Sequence, residues 1–175
     1  APDAARLGRA PVSRIGSEAL AARAVFQVLN SNPDAGFRDS ARFPGFPRAV
    51  ESTISELRLA GVTPERLGTV ETIPFIGPLL GEYEAALEAA RLTDRADLFR
   101  AAAEAVRQAS AGSITRGPIV MLDVAVTSSA EADFIAALGA AASNLLAVIP
   151  EEDSRAIEAL GRNGPAVPVN SPTEG

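Results

Sequence analysis

Apolar residues recur at helical spacing through most of this chain, and change to continuous runs only beyond residue 117. A first helix is predicted after Ser17, a residue type suited to an N-cap, with Leu20, Val25, Val28 and Leu29 turned inward. Asn30–Pro47 carries Asn-Pro, Ala-Gly and Pro-Gly punctuation and reads as a long loop. Pro47 suits the first turn of a second helix with Val50, Ile54 and Leu57 as its stripe, and Gly61 suits the C′ position that ends it. Thr63-Pro64 restarts a short helix, and Thr69–Ile76 fits either a loop or a short strand. Leu79, Leu80, Tyr83, Leu87 and Ala90 define the next amphipathic helix. Thr93 or Asp94 caps another, buried through Leu98, Phe99, Ala102 and Val106, and Gly112–Gly117 turns the chain.

The pattern then switches. Ile119–Leu122 is an unbroken apolar run, which suits a strand covered on both faces in a parallel sheet. Ser128 and Glu131 have capping-box spacing ahead of a helix that carries Phe134, Leu138 and Ala142 on one face, with Gly139 explained by close packing. Leu145–Ile149 is a second strand, stopped by Pro150. Asp153 caps a last short helix through Ile157 and Leu160 to Gly161. The expected class is therefore α/β and predominantly helical. An arm spans 1–16, a helical subdomain 17–112, a β-α-β segment 113–161 and a flexible tail 162–175. Two parallel strands do not make a stable sheet by themselves. The chain offers at most one further candidate near Val70, so sheet partners are expected from outside these residues.

Composition narrows the chemistry. The 175 residues contain no Cys, His, Trp or Lys, and all sixteen basic residues are Arg. This removes Cys/His zinc sites, Ser-His-Asp and Cys-His nucleophiles, lysine Schiff bases and the lysine-bearing phosphate loop. A net charge of −6 argues against a stand-alone nucleic-acid binder, and no apolar stretch has the length of a membrane span. A non-Met start at Ala1 suggests an excised or processed piece.

Two groups of residues carry candidate chemistry. Asp123, Glu151 and Asp153 would share the carboxyl edge of the predicted sheet, where clustered carboxylates could hold Mg²⁺. The alternative is that Asp123 bonds the backbone of its own turn while Asp153 caps a helix, and this reading is preferred. Phe37, Arg38, Arg42, Phe43, Phe46 and Arg48 interleave aromatics and guanidinium groups, the combination that single-stranded DNA binding uses. Against it stands a loop pinned by its phenylalanines with its arginines in water. Arg58, Arg91, Arg95, Arg100 and Arg107 read as a solvated face with helical ion pairs, including Arg100 with Glu104.

Three stretches carry a family resemblance. FPRAVESTISELRLAGVTPERL (Phe46–Leu67) and GEYEAALEAARLTDRADLFRAAAEAV (Gly81–Val106) are similar to successive helical regions of the AddB-like, RecB-related helicase–exonuclease proteins. IVMLDVAVTSSAEADFIAALGAAASNLLAVIPEED (from Ile119) resembles their degenerate second and third helicase motifs. The order agrees, and the likeness covers roughly Ser17–Leu160. It implies a P-loop NTPase-like, helicase-like core fragment preceded by a helical insertion. The parent would carry a PD-(D/E)XK nuclease domain and process DNA double-strand breaks for recombination and repair in the cytoplasm. An active motif would place Glu after the strand-end Asp to position the attacking water, but Val124 follows Asp123. The nuclease motif needs a lysine, which the chain lacks.

The expected function is thus a non-catalytic, helicase-like segment of a helicase–nuclease, serving as scaffold and single-stranded DNA guide. Asp123 is at most a degenerate catalytic relic. No cofactor is expected in this chain, with Mg²⁺ reserved for the parent enzyme. The expected partners are the rest of that enzyme or its partner subunit, and DNA, with no membrane. The alternative is a helical protein–protein interaction module without nucleic-acid binding. A metal-dependent phosphotransfer domain using Asp123 ranks last, since the lysine and acidic pair of such folds are missing.

Overall fold

The structure is a computed structural model and describes residues 8–68 and 74–161. In it a short strand β1 (Ala10–Pro11) leads into helix α1 (Arg14–Ser31), which starts four residues earlier than the sequence pattern suggests. Ser13 is the N-cap, with its hydroxyl accepting from Gly16 N–H, while Ser17 is buried and donates its own hydroxyl to the Arg14 carbonyl. Both serines can cap. The earlier one prevails because β1 already anchors the chain beside β2 (Leu92–Thr93), in parallel register Ala10 to Leu92 and Pro11 to Thr93. The segment read as an arm is therefore tied down from residue 10 onward.

A 3₁₀ turn at Ser40–Arg42 interrupts the loop that precedes α2 (Phe46–Leu59). That helix ends as Gly61 predicts. Gly61 sits at φ 72°, its N–H reaches the Arg58 carbonyl, and Val62 N–H reaches Leu57, which together form a Schellman closure. α3 (Pro64–Leu67) and α4 (Ile76–Ala89) follow. Gly77 lets them approach closely, since a Cβ there would stand 3.1 Å from the Pro64 carbonyl oxygen. The ambiguous segment near Val70 and the tail from residue 162 lie outside the described residues.

α1, α2 and α4 enclose the first core, built on Ala21, Ala24, Val25, Val28, Val50, Ile54, Leu79, Leu80, Tyr83 and Leu87. Leu20 and Leu29 pack against its edge. On α4 the inward stripe closes with Ala86 and Leu87, whereas Ala90 is the exposed C-cap. α5 (Arg95–Arg107) is capped by Asp94, whose carboxylate accepts from Asp97 N–H at 2.9 Å, rather than by Thr93. Its buried positions are Ala96, Ala103 and Val106, with Leu98, Phe99 and Ala102 half-buried. The sequence pattern groups α5 with the helical subdomain. Its packing is instead with the following unit, where Ala103 and Val106 meet Ala137, Phe134 and Leu138.

After a 3₁₀ turn at Ile114–Arg116, β3 (Pro118–Leu122), α6 (Ser129–Ala141) and β4 (Asn144–Val148) form a parallel β-α-β unit, with Pro118 paired to Asn144 and Leu122 to Val148. α7 (Ser154–Gly161) completes it. Ile119, Met121, Leu145 and Ala147 pack against Val126, Ile135, Ala156 and Leu160 on one face. The opposite face is open, with Val120, Leu122, Leu146 and Val148 between 48% and 65% exposed. This corrects the expectation of a strand covered on both sides, because among the described residues only α6 and α7 supply cover. On α7 the inward residues are Ala156 and Leu160, while Ile157 faces outward. The described residues are mostly helical with two small parallel strand pairs, an arrangement compatible with the α/β class.

Candidate functional site

The carboxyl edge of the β3–β4 pair does not bring its acids together. Asp123 leaves the strand at φ 50°, a left-handed conformation that Asp tolerates better than most residues, and its N–H donates to the Val148 carbonyl at 3.1 Å. Asp153 is committed elsewhere. One oxygen accepts from Ala156 N–H at 2.9 Å, capping α7, and the other accepts from Val126 N–H at 3.3 Å. Those two backbone donors hold its carboxyl below the usual carboxylate range. Asp153 therefore staples the loop after β3 to the start of α7. Glu151 is exposed on the intervening turn. Among the described residues no group of three His, Cys, Asp or Glu side chains is placed to hold a metal ion. The donor set does not fit Mg²⁺, because Asp153 spends both oxygens on backbone N–H groups and Val124 offers no oxygen where a second carboxylate would stand.

The aromatic–arginine loop divides. Phe37 stacks on Phe46 at 5.7 Å between ring centroids and meets Phe75 edge-on at 5.5 Å, and all three pack on the first core. Their faces are thereby used. Phe43 is 69% exposed, on a turn held by Phe43 N–H to the Ser40 carbonyl and Phe46 N–H to the Phe43 carbonyl. Arg38 bends back to the Pro33 carbonyl, Arg42 lies 3.8 Å from Asp39, and Arg48 is exposed on the first turn of α2. Of the six candidates, Arg38, Arg42, Phe43 and Arg48 are exposed, while Phe37 and Phe46 pack with Phe75 on the first core.

The most concentrated polar arrangement is one that sequence reasoning placed in solvent. Arg58 is buried, at 4% exposure, and its guanidinium pairs with Glu84 on α4, with Asp94 at the N-cap of α5 and with Asp97 in its first turn. Arg100 closes the ring, donating at 2.8 Å to Asp97 and at 2.9 Å to the Arg58 carbonyl. Burial works against the charge of Arg58, but the hydrogen bond to Asp94 and the charges of Asp94, Asp97 and Glu84 outweigh it and raise its pKa. Burial, then the Asp94 charge, push the nearby Tyr83 hydroxyl up as well. A signal was present in the sequence, since Val50, Ile54 and Arg58 continue one stripe at i, i+4 and i+8. Arg100 bonds Asp97 rather than Glu104, which instead accepts from Gln108 and faces Arg107.

A second hub sits where α6 begins. The capping box is formed as its spacing predicts, with Ser128 accepting from Glu131 N–H and Glu131 accepting from Ser128 N–H. Glu131 also accepts from the Thr127 N–H and hydroxyl and pairs with Arg95, which lies over the Phe99 ring at 5.4 Å. Burial of Glu131 would raise its pKa, but the Thr127 donors, Arg95 and the Ser128 N–H together lower it below 4.5. A carboxyl depressed on folding stabilises the fold above its unfolded pKa, and that contribution is lost as pH falls through the folded value. Glu131→Gln is accordingly expected to lower stability by about 1–2 kcal/mol at neutral pH. The difference from the parent chain should shrink below pH 4.5 in denaturant titrations run across pH.

No protein-family model, curated protein or solved structure matches this chain. Among the described residues no helix is long and apolar enough to cross a membrane.

Proposed function

We propose that this chain is a non-catalytic, helicase-like segment of a cytoplasmic DNA-break-processing helicase–nuclease of the AddB-like, RecB-related kind. Its β3–α6–β4 unit would be part of a P-loop NTPase-like core. The observation that carries the reading is the open apolar face of Val120, Leu122, Leu146 and Val148 on a two-stranded parallel sheet. Parallel sheets are normally covered on both faces, so this unit suits a role as structural filling within a larger α/β core. The dispersal of Asp123, Glu151 and Asp153, with Val124 in place of a glutamate, favours a scaffold over a hydrolase. The rest of the parent enzyme or its partner subunit would complete the sheet.

Within this reading, Phe43 with Arg42 and Arg48 is the surface that would guide single-stranded DNA. Phe43 offers one stacking face on a turn already fixed by Phe37, Phe46 and Phe75, and a stacked base contributes roughly 1–3 kcal/mol. Fluorescence anisotropy with a labelled oligo-dT at low salt provides the test. Phe43→Ala should weaken binding about 5-fold or more, and Arg48→Ala should flatten the salt dependence. Equal affinity of parent and both variants would remove the guide role. The scaffold role stands or falls on the adjoining coding sequence, which should hold a phosphate-loop remnant upstream and a PD-(D/E)XK motif downstream.

The second reading, a helical protein-interaction module, draws on α1. Ile15 and Phe26 are 81% and 62% exposed and stand eleven residues apart, on the same side of the helix as Ala19 and Ala22. Absence of any DNA affinity, with self-association lost on Phe26→Ser, would favour it.

A further inference from the structure

The described chain has separate cores, and the division between them falls at one place in the sequence. The first core draws on α1, α2 and α4, with Val12 and Leu92 at its edge. The other two clusters draw on β3, β4, α5, α6 and α7. No apolar cluster among the described residues joins the two sides. A body ending at Thr93 thus meets a body starting at Asp94, and the described chain crosses between them once, at the Thr93–Asp94 link.

Polar groups make the joint. Arg58 reaches across from α2 to Asp94 and Asp97, and Arg100 reaches back to the Arg58 carbonyl. The Thr93 hydroxyl, buried at the crossing, finds no hydrogen-bond partner. Beside this joint lies a cleft of about 580 Å³ between α2 and the start of α6. Its α2 wall presents Glu51 and Glu56, and the facing wall presents Arg95 and Arg155. The two arginines are held on their own side, Arg95 by Glu131 and Arg155 by the Thr127 carbonyl. Among the described residues no ion pair spans the cleft, whose opposed walls carry opposite charge.

We propose that the Arg58 cluster is a pivot, and that the two bodies close about it to bring the Glu51/Glu56 wall onto the Arg95/Arg155 wall. The two electrostatic elements differ in exposure, which separates them experimentally. The pivot is buried and little screened, whereas the cleft walls are solvent-accessible and lose their attraction in salt. Low ionic strength therefore favours the closed arrangement and high ionic strength the open one. This inference does not depend on the helicase-like reading.

The chain contains no cysteine, so a thiol pair can be placed without background. Ser52→Cys and Ser129→Cys, both at exposed positions on opposite walls of the cleft, take spin labels for pulsed dipolar distance measurement. Between about 0.01 M and 1 M salt the screening length falls from roughly 30 Å to 3 Å. A short-distance population should dominate at the low end and give way to a longer one at the high end. Glu51→Gln with Glu56→Gln should remove the short population at every salt concentration. A single narrow distance that ignores salt overturns the proposal, and so does a short population that survives both neutralisations. The salt series on the labelled parent decides the matter even if the neutralised variant misfolds.

Discussion

Arg58→Ala is expected to destabilise the fold by about 3–5 kcal/mol, the range found when one partner is removed from a buried charge cluster. The cost arises less from lost attraction than from what stays behind. Asp94 and Asp97 are largely shielded from water, Glu84 partly so, and all three would face one another without their shared cation. Arg100 cannot substitute, because it is already spent on Asp97 and on the Arg58 carbonyl. For a chain of this length the loss corresponds to a melting temperature lower by about 6–20 °C. Arg58→Lys should recover only part of it, since an ammonium cannot serve several carboxylates with the guanidinium's fixed donor geometry. Thermal melts followed by circular dichroism give the comparison. A drop of less than about 1 kcal/mol for Arg58→Ala would mean that the cluster behaves like an exposed ion pair.

Arg58 also shows where sequence reasoning stops. The periodicity of α2 marks its inward stripe, and Val50 and Ile54 are buried as the pattern requires. The pattern continues the stripe through Leu57, which is only half-buried, whereas the buried position is Arg58, and hydropathy alone sends an arginine to the surface. What reverses the outcome is a set of acids 26 to 39 residues away, on helices whose approach no local signal encodes. Local chemistry fared better wherever a short motif carries its own geometry. The Ser128–Glu131 box, the Asp153 cap and the Gly61 stop all formed as their spacing indicates. In the aromatic loop, Phe37, Phe43 and Phe46 are equivalent as letters. Only packing on Phe75 and the first core distinguishes the two that anchor from the one that projects. The unbroken apolar run of β3 gave the strand, but a run of that kind records two covered faces and says nothing of what covers them.

That run makes a second large prediction, in which adjacent residues behave oppositely. Met121 is 7% exposed beneath α6 and α7, while Leu122, next along the strand, is 65% exposed. Met121→Ala removes buried apolar volume from a small core and should cost about 2–5 kcal/mol. Leu122→Ala should change stability by no more than about 0.5 kcal/mol, because its side chain lies in water in either case. Urea unfolding of the two variants beside the parent supplies both values, with unchanged m-values required for the comparison to hold. The inequality belongs to this chain by itself. Inside a protein that covers the open face, as the scaffold reading requires, Leu122 would become a buried residue and its truncation would cost as much as that of Met121. A chain that exposes Leu122 as it stands, yet loses several kcal/mol on Leu122→Ala, would have that face covered in solution, and the partner would then be a second copy of the chain itself.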